Sequence, residues 1–504
     1  MKRLIAFLTA GSLLAGCSME PSYVRPDAPI PASWPQGDAY LKQSERGLAS
    51  VDFEQVFADP RLQSLIGQAL INNRDLREAA ANIASARAQY RIQRADLLPT
   101  ISASAGSTTS NGSTSSYATS GNGTGTGSVT ADNGGDDTQT YYTANVGTTS
   151  FEIDLFGRVR SLSDAALNQY FATEAAARST RLALVGDIAT GWVTYGADKS
   201  LLAIAQDTLE SAQKSVELTR ARLQGGVAPR TDLRQAETVA EQARADLAQQ
   251  RTALAQDINR LRLLIGADFD TDALPGSIDD ATAKLGDVPA GLDSSVLLRR
   301  PDVVQAEYQL RSMNGQIGAA RAALFPTISL TALVGIASDS LSGLFDGDNF
   351  TWQVSPSATY SIFQAGAARA NVAQAEAEQQ AALATYEKTI QTAFREVADA
   401  LARRGTIDDQ VAAVRALTDA TQDTYNLAFA RYRGGIDTFL ATLDAQRSLY
   451  SARQSLVQVK LTRATNLATL YQALGGDSTL VATANGPVAP ETAGDAAGAS
   501  GEQQ

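Results

Sequence analysis

The chain has 504 residues, of which 44% are apolar and only 6% aromatic, and it carries a formal charge of −12. That acidity, without clusters of Lys and Arg, excludes nucleic acid as a partner, because neutralising phosphate requires such clusters. With no histidine and a single cysteine, the chain cannot build Ser-His-Asp or Cys-His catalysis, a His-ligated or thiolate metal site, or an internal disulfide, so we expect neither an enzyme nor a cofactor.

The N-terminus reads as an export signal. Met1-Lys2-Arg3, a short apolar core from Leu4 to Leu14 and the small residues Ala15-Gly16 have the order of a signal peptide over residues 1–16. Leu14-Ala15-Gly16-Cys17 resembles a bacterial lipobox, which implies that Cys17 becomes the acylated first residue and that lipid anchors it in a membrane. Ser18 after it, by resemblance to other bacterial lipoproteins, favours the outer membrane. Residues 17–50 hold Pro21, Pro26, Pro29, Pro31 and Pro35 and are expected to form an extended tether.

From residue 51 to 265 the spacing predicts one structural unit. A helix begins at Asp59-Pro60, with Leu62, Leu65, Ile66 and Ala69 on one face, and another runs from Arg74 until Pro99 stops it. Ile101, Ala103 and Ala105 alternate with Thr and Ser, as in a strand. A Gly, Ser, Thr and Asn stretch over 106–139 is expected to be a long mobile loop, and Tyr142, Ala144 and Val146 resume the alternation. Arg158 to Leu223 predicts a helix on the order of 100 Å long, with Gly186, Gly191 and Gly196 as candidate bends. It turns at Gly225-Gly226 into a return helix ending near Ile265.

After a connector over 266–291, residues 292–477 repeat that order. Arg222-Leu223-Gln224-Gly225-Gly226-Val227 recurs 209 positions later as Arg431-Tyr432-Arg433-Gly434-Gly435-Ile436, and Leu97-Leu98-Pro99-Thr100-Ile101-Ser102 recurs as Leu324-Phe325-Pro326-Thr327-Ile328-Ser329. Both long helices carry the 3.5-residue apolar spacing of a coiled-coil seam, so one supersecondary unit is used twice. Residues 478–504 are low in complexity and are expected to be a disordered tail.

The strands pose a physical problem. Their apolar faces, such as Ile328, Leu330, Ala332, Val334 and Ile336, alternate with mostly polar ones, as in a barrel wall with lipid outside and water inside. Nothing after the signal offers the roughly 20 apolar residues of a spanning helix. Four strands cannot close alone, and an open edge in lipid strands its amides. Several chains must therefore share one barrel.

The lipobox, the two Pro-Thr-Ile-Ser strand entries, Asp154-Leu155-Phe156-Gly157, Leu298-Arg299-Arg300-Pro301-Asp302 and Phe439-Leu440-Ala441-Thr442-Leu443-Asp444-Ala445-Gln446-Arg447 resemble the TolC-like outer-membrane efflux proteins, in particular the lipidated, NodT-type branch serving resistance-nodulation-division pumps. The resemblance covers roughly residues 15 to 477. It implies an α+β membrane protein: a homotrimer whose twelve-stranded β-barrel, four strands per chain, sits in the outer membrane and continues into the periplasm as a coiled-coil helical barrel. The implied function is a passive exit duct in a tripartite system, receiving small molecules from an inner-membrane pump through a periplasmic adaptor.

By the same resemblance the second hairpin is the periplasmic gate. Leu440, Asp444 and Arg447 fall at i, i+4 and i+7, hence on one helix face. An apolar ring from Leu440 above an acidic ring from Asp444 would form a cation-favouring constriction. Arg447 would bond to Asp232 or another acid on a neighbouring hairpin, with Tyr432 and Arg433 doing the same nearer the tip. The tip glycines Gly225, Gly226, Gly434 and Gly435 end helices, and their small surfaces are candidate contacts for the adaptor. The competing reading is a non-conducting trimeric coiled-coil adhesin or envelope-spanning structural lipoprotein; a hydrolase using paired carboxylates has no recognisable pocket motif.

Overall fold

The computed structural model describes residues 18–37, 39–40, 52–111, 138–289 and 293–490. Cys17 with the signal peptide, most of the 106–139 stretch and the last part of the tail lie outside the described residues. The chain divides into two compact units that cut across the two repeats. One comprises the described residues up to Pro26 with Ala84–Ala172 and Glu307–Thr385, and the other comprises Asp27–Ile83, Thr173–Ala306 and the chain from Tyr386 onward.

In chain order the elements are α1 (Phe53–Val56), α2 (Pro60–Asn72), α3 (Arg74–Ala95), β1 (Ser102–Asn111), β2 (Thr138–Glu152), α4 (Arg158–Gln224), α5 (Arg230–Ile265), α6 (Ile278–Thr282), α7 (Pro301–Ala322), β3 (Thr327–Ser338), β4 (Phe350–Thr359), α8 (Ala367–Arg433), α9 (Phe439–Ala473), β5 (Val481–Thr483) and β6 (Gly486–Val488). Among the described residues no helix is long and apolar enough to cross a membrane.

The first unit holds a four-stranded antiparallel sheet in the order β1-β2-β3-β4. Its register aligns the alternation seen in the sequence. Ala103, Val146, Val334 and Trp352 stand side by side across the sheet, and so do Ala105, Ala144, Ile336 and Phe350. The opposite face lines up Ser104, Asn145, Gly335 and Thr351, with Leu333 and Ala337 among its apolar exceptions. The apolar face is open: Trp352 is 72% exposed and Val354 58%. β1 and β4 are edges with no strand beyond them among the described residues. A shift of register between Thr148 and Phe151 bulges β2 against β3, and beside it a Cβ on Gly147 would collide with the Ala332 carbonyl.

β1 runs through Asn111 and β2 starts at Thr138, so the expected loop is shorter at both ends than 106–139. A chain poor in apolar groups still forms strand there because its backbone pairs with β2 residue by residue from Ser102↔Gly147 to Asn111↔Thr138.

The N-terminal tether is extended but not free. In the first unit Arg25 donates twice to the buried Glu307 (Nη2 to Oε2, 2.7 Å), which Tyr23 and Arg311 also contact. In the second unit Trp34 is buried and stacks on Phe394 at 5.2 Å.

α4 and α8 are each unbroken over 67 residues, and both contribute residues to each of the two units. The glycines expected to bend α4 are contact points. A Cβ on Gly186 would strike the Gln472 side chain, and one on Gly196 would stand 2.7 Å from Ala281 Cβ and 2.8 Å from Ser277 O. Nearby, the buried Trp192 donates its Nε1–H to Ala281 O (3.2 Å), with the Arg61 guanidinium 5.1 Å above its ring.

The repeat shows most clearly where the return helices end. α5 stops at Gly266 (φ 73) and α9 at Gly475 (φ 87). Asn73 donates to Leu264 O (2.8 Å) and caps Leu76 N–H, which places the start of α3 at the end of α5. At the matching place Arg300, 7% exposed, donates to Ala473 O (2.8 Å) and pairs with Asp302 and Glu396. Beyond this, the expected disordered tail is partly folded: Ser478, Thr479, Leu480 and Ala482 are buried, Leu480 N–H donates to Arg299 O (2.7 Å), and β5 pairs with β6.

Candidate functional site at the hairpin tips

Both tips lie in the second unit and close in the same way. In the first, the N–H groups of Gly225, Gly226 and Val227 donate to Ala221, Leu223 and Arg222 carbonyls at 2.9–3.0 Å. In the second, Gly434, Gly435 and Ile436 donate to Ala430, Tyr432 and Arg431 at 3.0 Å. This is a Schellman-type stop, and it needs the left-handed backbone found at Gly226 (φ 72) and Gly435 (φ 73). Gly225 and Gly434 differ. A Cβ there would meet its nearest atom at an ordinary 3.5 Å, so neither backbone conformation nor packing within the chain requires glycine. All four tip glycines are exposed.

The tips are joined by a small core of Ala236, Tyr432, Phe439 and Leu443, with Val216, Leu218 and Val239 packed against it. Tyr432 is 2% exposed, its ring lies 5.3 Å from that of Phe439, and its hydroxyl meets Thr219 Oγ1 at 3.2 Å. Its hydroxyl is therefore engaged inside the chain, which departs from the expectation that it reaches an acid on a neighbouring hairpin.

Arg222, which the sequence reading passed over, is the cation at this junction. It lies 4.6 Å over the Tyr432 ring and donates from Nη1 to Tyr432 O at 2.7 Å. Its counterpart Arg431 instead pairs with Asp437 of its own tip at 2.5 Å, and that guanidinium holds the Asp437 carboxyl below its ordinary range. The signal was present in the repeat, because Ala228 stands where the second copy has Asp437. Without a local acid, Arg222 reaches across.

The start of α9 has two faces. Phe439, Thr442, Leu443, Ala445, Gln446 and Leu449 are buried. Leu440 (52% exposed), Asp444 and Arg447 occupy the exposed side. Among the described residues neither Asp444 nor Arg447 enters an ion pair, and the same holds for the exposed Arg433 and the half-buried Asp232 in the first turn of α5. The chain thus presents Leu440, Asp444 and Arg447 together but does not join Arg447 to Asp232. Arg447 also borders a cleft of about 250 Å³ with Asp246, Gln446 and Tyr450, where Tyr450 donates to Asp246 at 2.8 Å.

A model of the outer membrane efflux protein family matches residues 65–267 and 292–476. The toluene efflux pump outer membrane protein TtgC of Pseudomonas putida is 44% identical over 478 residues, 94% of this chain and 96% of that protein. Outer membrane protein OprJ of Pseudomonas aeruginosa is 40% identical over 472 residues, 94% of this chain and 95% of its own. The open-state structure of the MtrE outer membrane channel of Neisseria gonorrhoeae superposes with a TM-score of 0.78 at 36% identity, covering 91% of this chain and 98% of that one.

Proposed function

Because the chain belongs to the outer membrane efflux protein family, and so is an outer-membrane component of an efflux pump, we propose that it is the exit duct of a tripartite system built from three copies. The observation that carries this is the open sheet: two edges with no strand beyond them among the described residues, and an exposed apolar face. In lipid the apolar face is solvated and the edges are not. Pairing β4 of one copy with β1 of the next satisfies the edge amides and turns the mostly polar face inward, towards water. Two copies would give eight strands, whose interior side chains fill, whereas three give twelve and leave room for a water-filled lumen.

In this reading Cys17 is acylated and holds the N-terminus in the outer membrane. The hairpin tips meet a periplasmic adaptor through the smooth surfaces of Gly225, Gly226, Gly434 and Gly435. The two glycines that the fold does not require, Gly225 and Gly434, favour such a contact, since a close-approaching partner is a reason to exclude a side chain. An energised inner-membrane pump of the resistance-nodulation-division class hands over small organic molecules, the class to which the toluene named for the TtgC relative belongs.

Leu440 and Asp444 from three copies form the periplasmic constriction, where three carboxylates near an axis favour cations. Arg447, which enters no ion pair among the described residues, meets an acid of the neighbouring copy. Tyr432 and Arg222 act behind the gate, tying the second hairpin to the first.

The test is conductance of the purified full-length protein in a planar bilayer. Discrete, cation-selective channels are expected. A trimer that inserts and never conducts would favour the adhesin or spacer reading.

A further inference from the structure

At the root of the first hairpin α4 and α5 meet through buried apolar residues with polar groups among them. Gly191 of α4 receives Leu261 of α5, whose Cδ2 would stand 2.8 Å from a Cβ there. Leu254 and Leu261, on either side of Asp257 along α5, are buried. Asp257 shares their face, and Tyr195 and Asp198 follow Gly191 at helical spacing on α4. Asp257 and Asp198 lie close enough across this seam for their carboxyl groups to share a hydrogen. Asp257 Oδ2 is sealed from solvent and meets no N–H or hydroxyl donor. Two carboxyl groups can bond in this way only if one carries a proton.

We propose that Asp198 and Asp257 form a proton-operated clasp, fastening the root of the first hairpin while they share one proton and releasing it when both ionise. The groups around them support a shared proton. On α4, Tyr195 is pushed up by burial and by Asp257. On α5, Arg260 pulls Asp257 down, yet burial and the Asp198 charge outweigh it and push Asp257 up to about 7. Burial pushes Asp198 up as well. α6 packs against Gly196 with Ser277 and Ala281, and its acids are engaged elsewhere, Asp280 with Arg61 and Asp279 with Lys460.

The sign follows from linkage. A carboxyl raised from 3.8 to about 7 in the closed seam contributes its full stabilisation below about 3.8. That contribution is lost as pH climbs to about 7, with no further loss above. The clasp therefore works across the mildly acid range, and it stands whether or not the protein conducts.

Hydrogen exchange of the full-length protein in detergent tests it, with rates divided by the intrinsic chemical rate at each pH. Opening of residues 190–200 and 250–262 is expected to rise between pH 5 and pH 7, by up to about a hundredfold for one linked proton, and to level off above. Residues 230–245, nearer the tip, serve as the internal reference and should stay flat. Asp257→Asn keeps a donor for Asp198 without titrating and should flatten the curve with the seam closed. Asp198→Asn should also flatten it, and decides the matter if the first variant does not fold. A flat wild-type curve, or an unchanged slope in the folded variants, overturns the clasp.

Discussion

The two hairpins share a backbone and differ in what they show to the outside. Their tips close with the same three hydrogen bonds around the same left-handed glycine, and their return helices end at equivalent glycines. Yet where the second hairpin has Leu440, Asp444 and Arg447, the first has Thr231, Gln235 and Thr238. Where the second has Asp437 to occupy Arg431, the first has Ala228, and Arg222 is released to hold Tyr432. The repeat supplies the scaffold twice, while the candidate gate chemistry was placed on one copy and the cross-tie on the other.

That asymmetry is open to direct attack. The largest effect should come from the gate: Asp444→Ala or Leu440→Ala is expected to raise single-channel conductance several-fold, whereas Gln235→Ala and Thr231→Ala at the matching positions leave it unchanged. Equal effects at both hairpins would erase the distinction. Next are the left-handed glycines, where Gly226→Ala or Gly435→Ala should destabilise its tip by about 1–2 kcal/mol in thermal or denaturant unfolding. Gly225→Ala and Gly434→Ala should leave unfolding nearly unaltered but reduce cross-linking to a periplasmic adaptor.

A smaller effect is expected at the cross-tie. Arg222→Ala removes a charged donor from the Tyr432 carbonyl and a cation from its ring, costing about 1 kcal/mol, read as faster hydrogen exchange at residues 428–443. Arg431→Ala, which breaks only an exposed pair, should give no measurable change. If the two arginines behave alike, the cross-tie assignment fails.

Most of the fold was legible because its signals are local and duplicated. Alternation over Ile328–Ile336 fixed the strand faces, and the Gly-Gly pairs fixed the tips. The face carrying Leu440, Asp444 and Arg447 follows from helical spacing alone. What escaped depends on partners distant in sequence. Glu307 holds Arg25 across 282 positions, and nothing local in the proline-rich segment announces that contact. The packing role of the α4 glycines was not legible because their neighbours, Gln472 and Ala281, come from other elements. β1 beyond Gly106 and the β5–β6 hairpin lack apolar periodicity, since backbone pairing rather than side-chain burial defines the first and Arg299 anchors the second. Tyr432 was misread for a related reason: an aromatic with a hydroxyl near a tip suits a gate, and only packing reveals that Thr219 and Phe439 already engage it.

The central claim is that β1 and β4 are completed by other copies of the chain. Cys17 is the only natural cysteine, so engineered pairs can be read cleanly. Chains carrying cysteine at Ser104 together with one of Thr351, Gln353 or Ser355, all on the same face of the sheet, should, in outer membranes under oxidising conditions, form disulfides between chains at one register. The resulting ladder should end at three. No cross-link at any register, or a ladder that stops at two, would contradict the shared barrel.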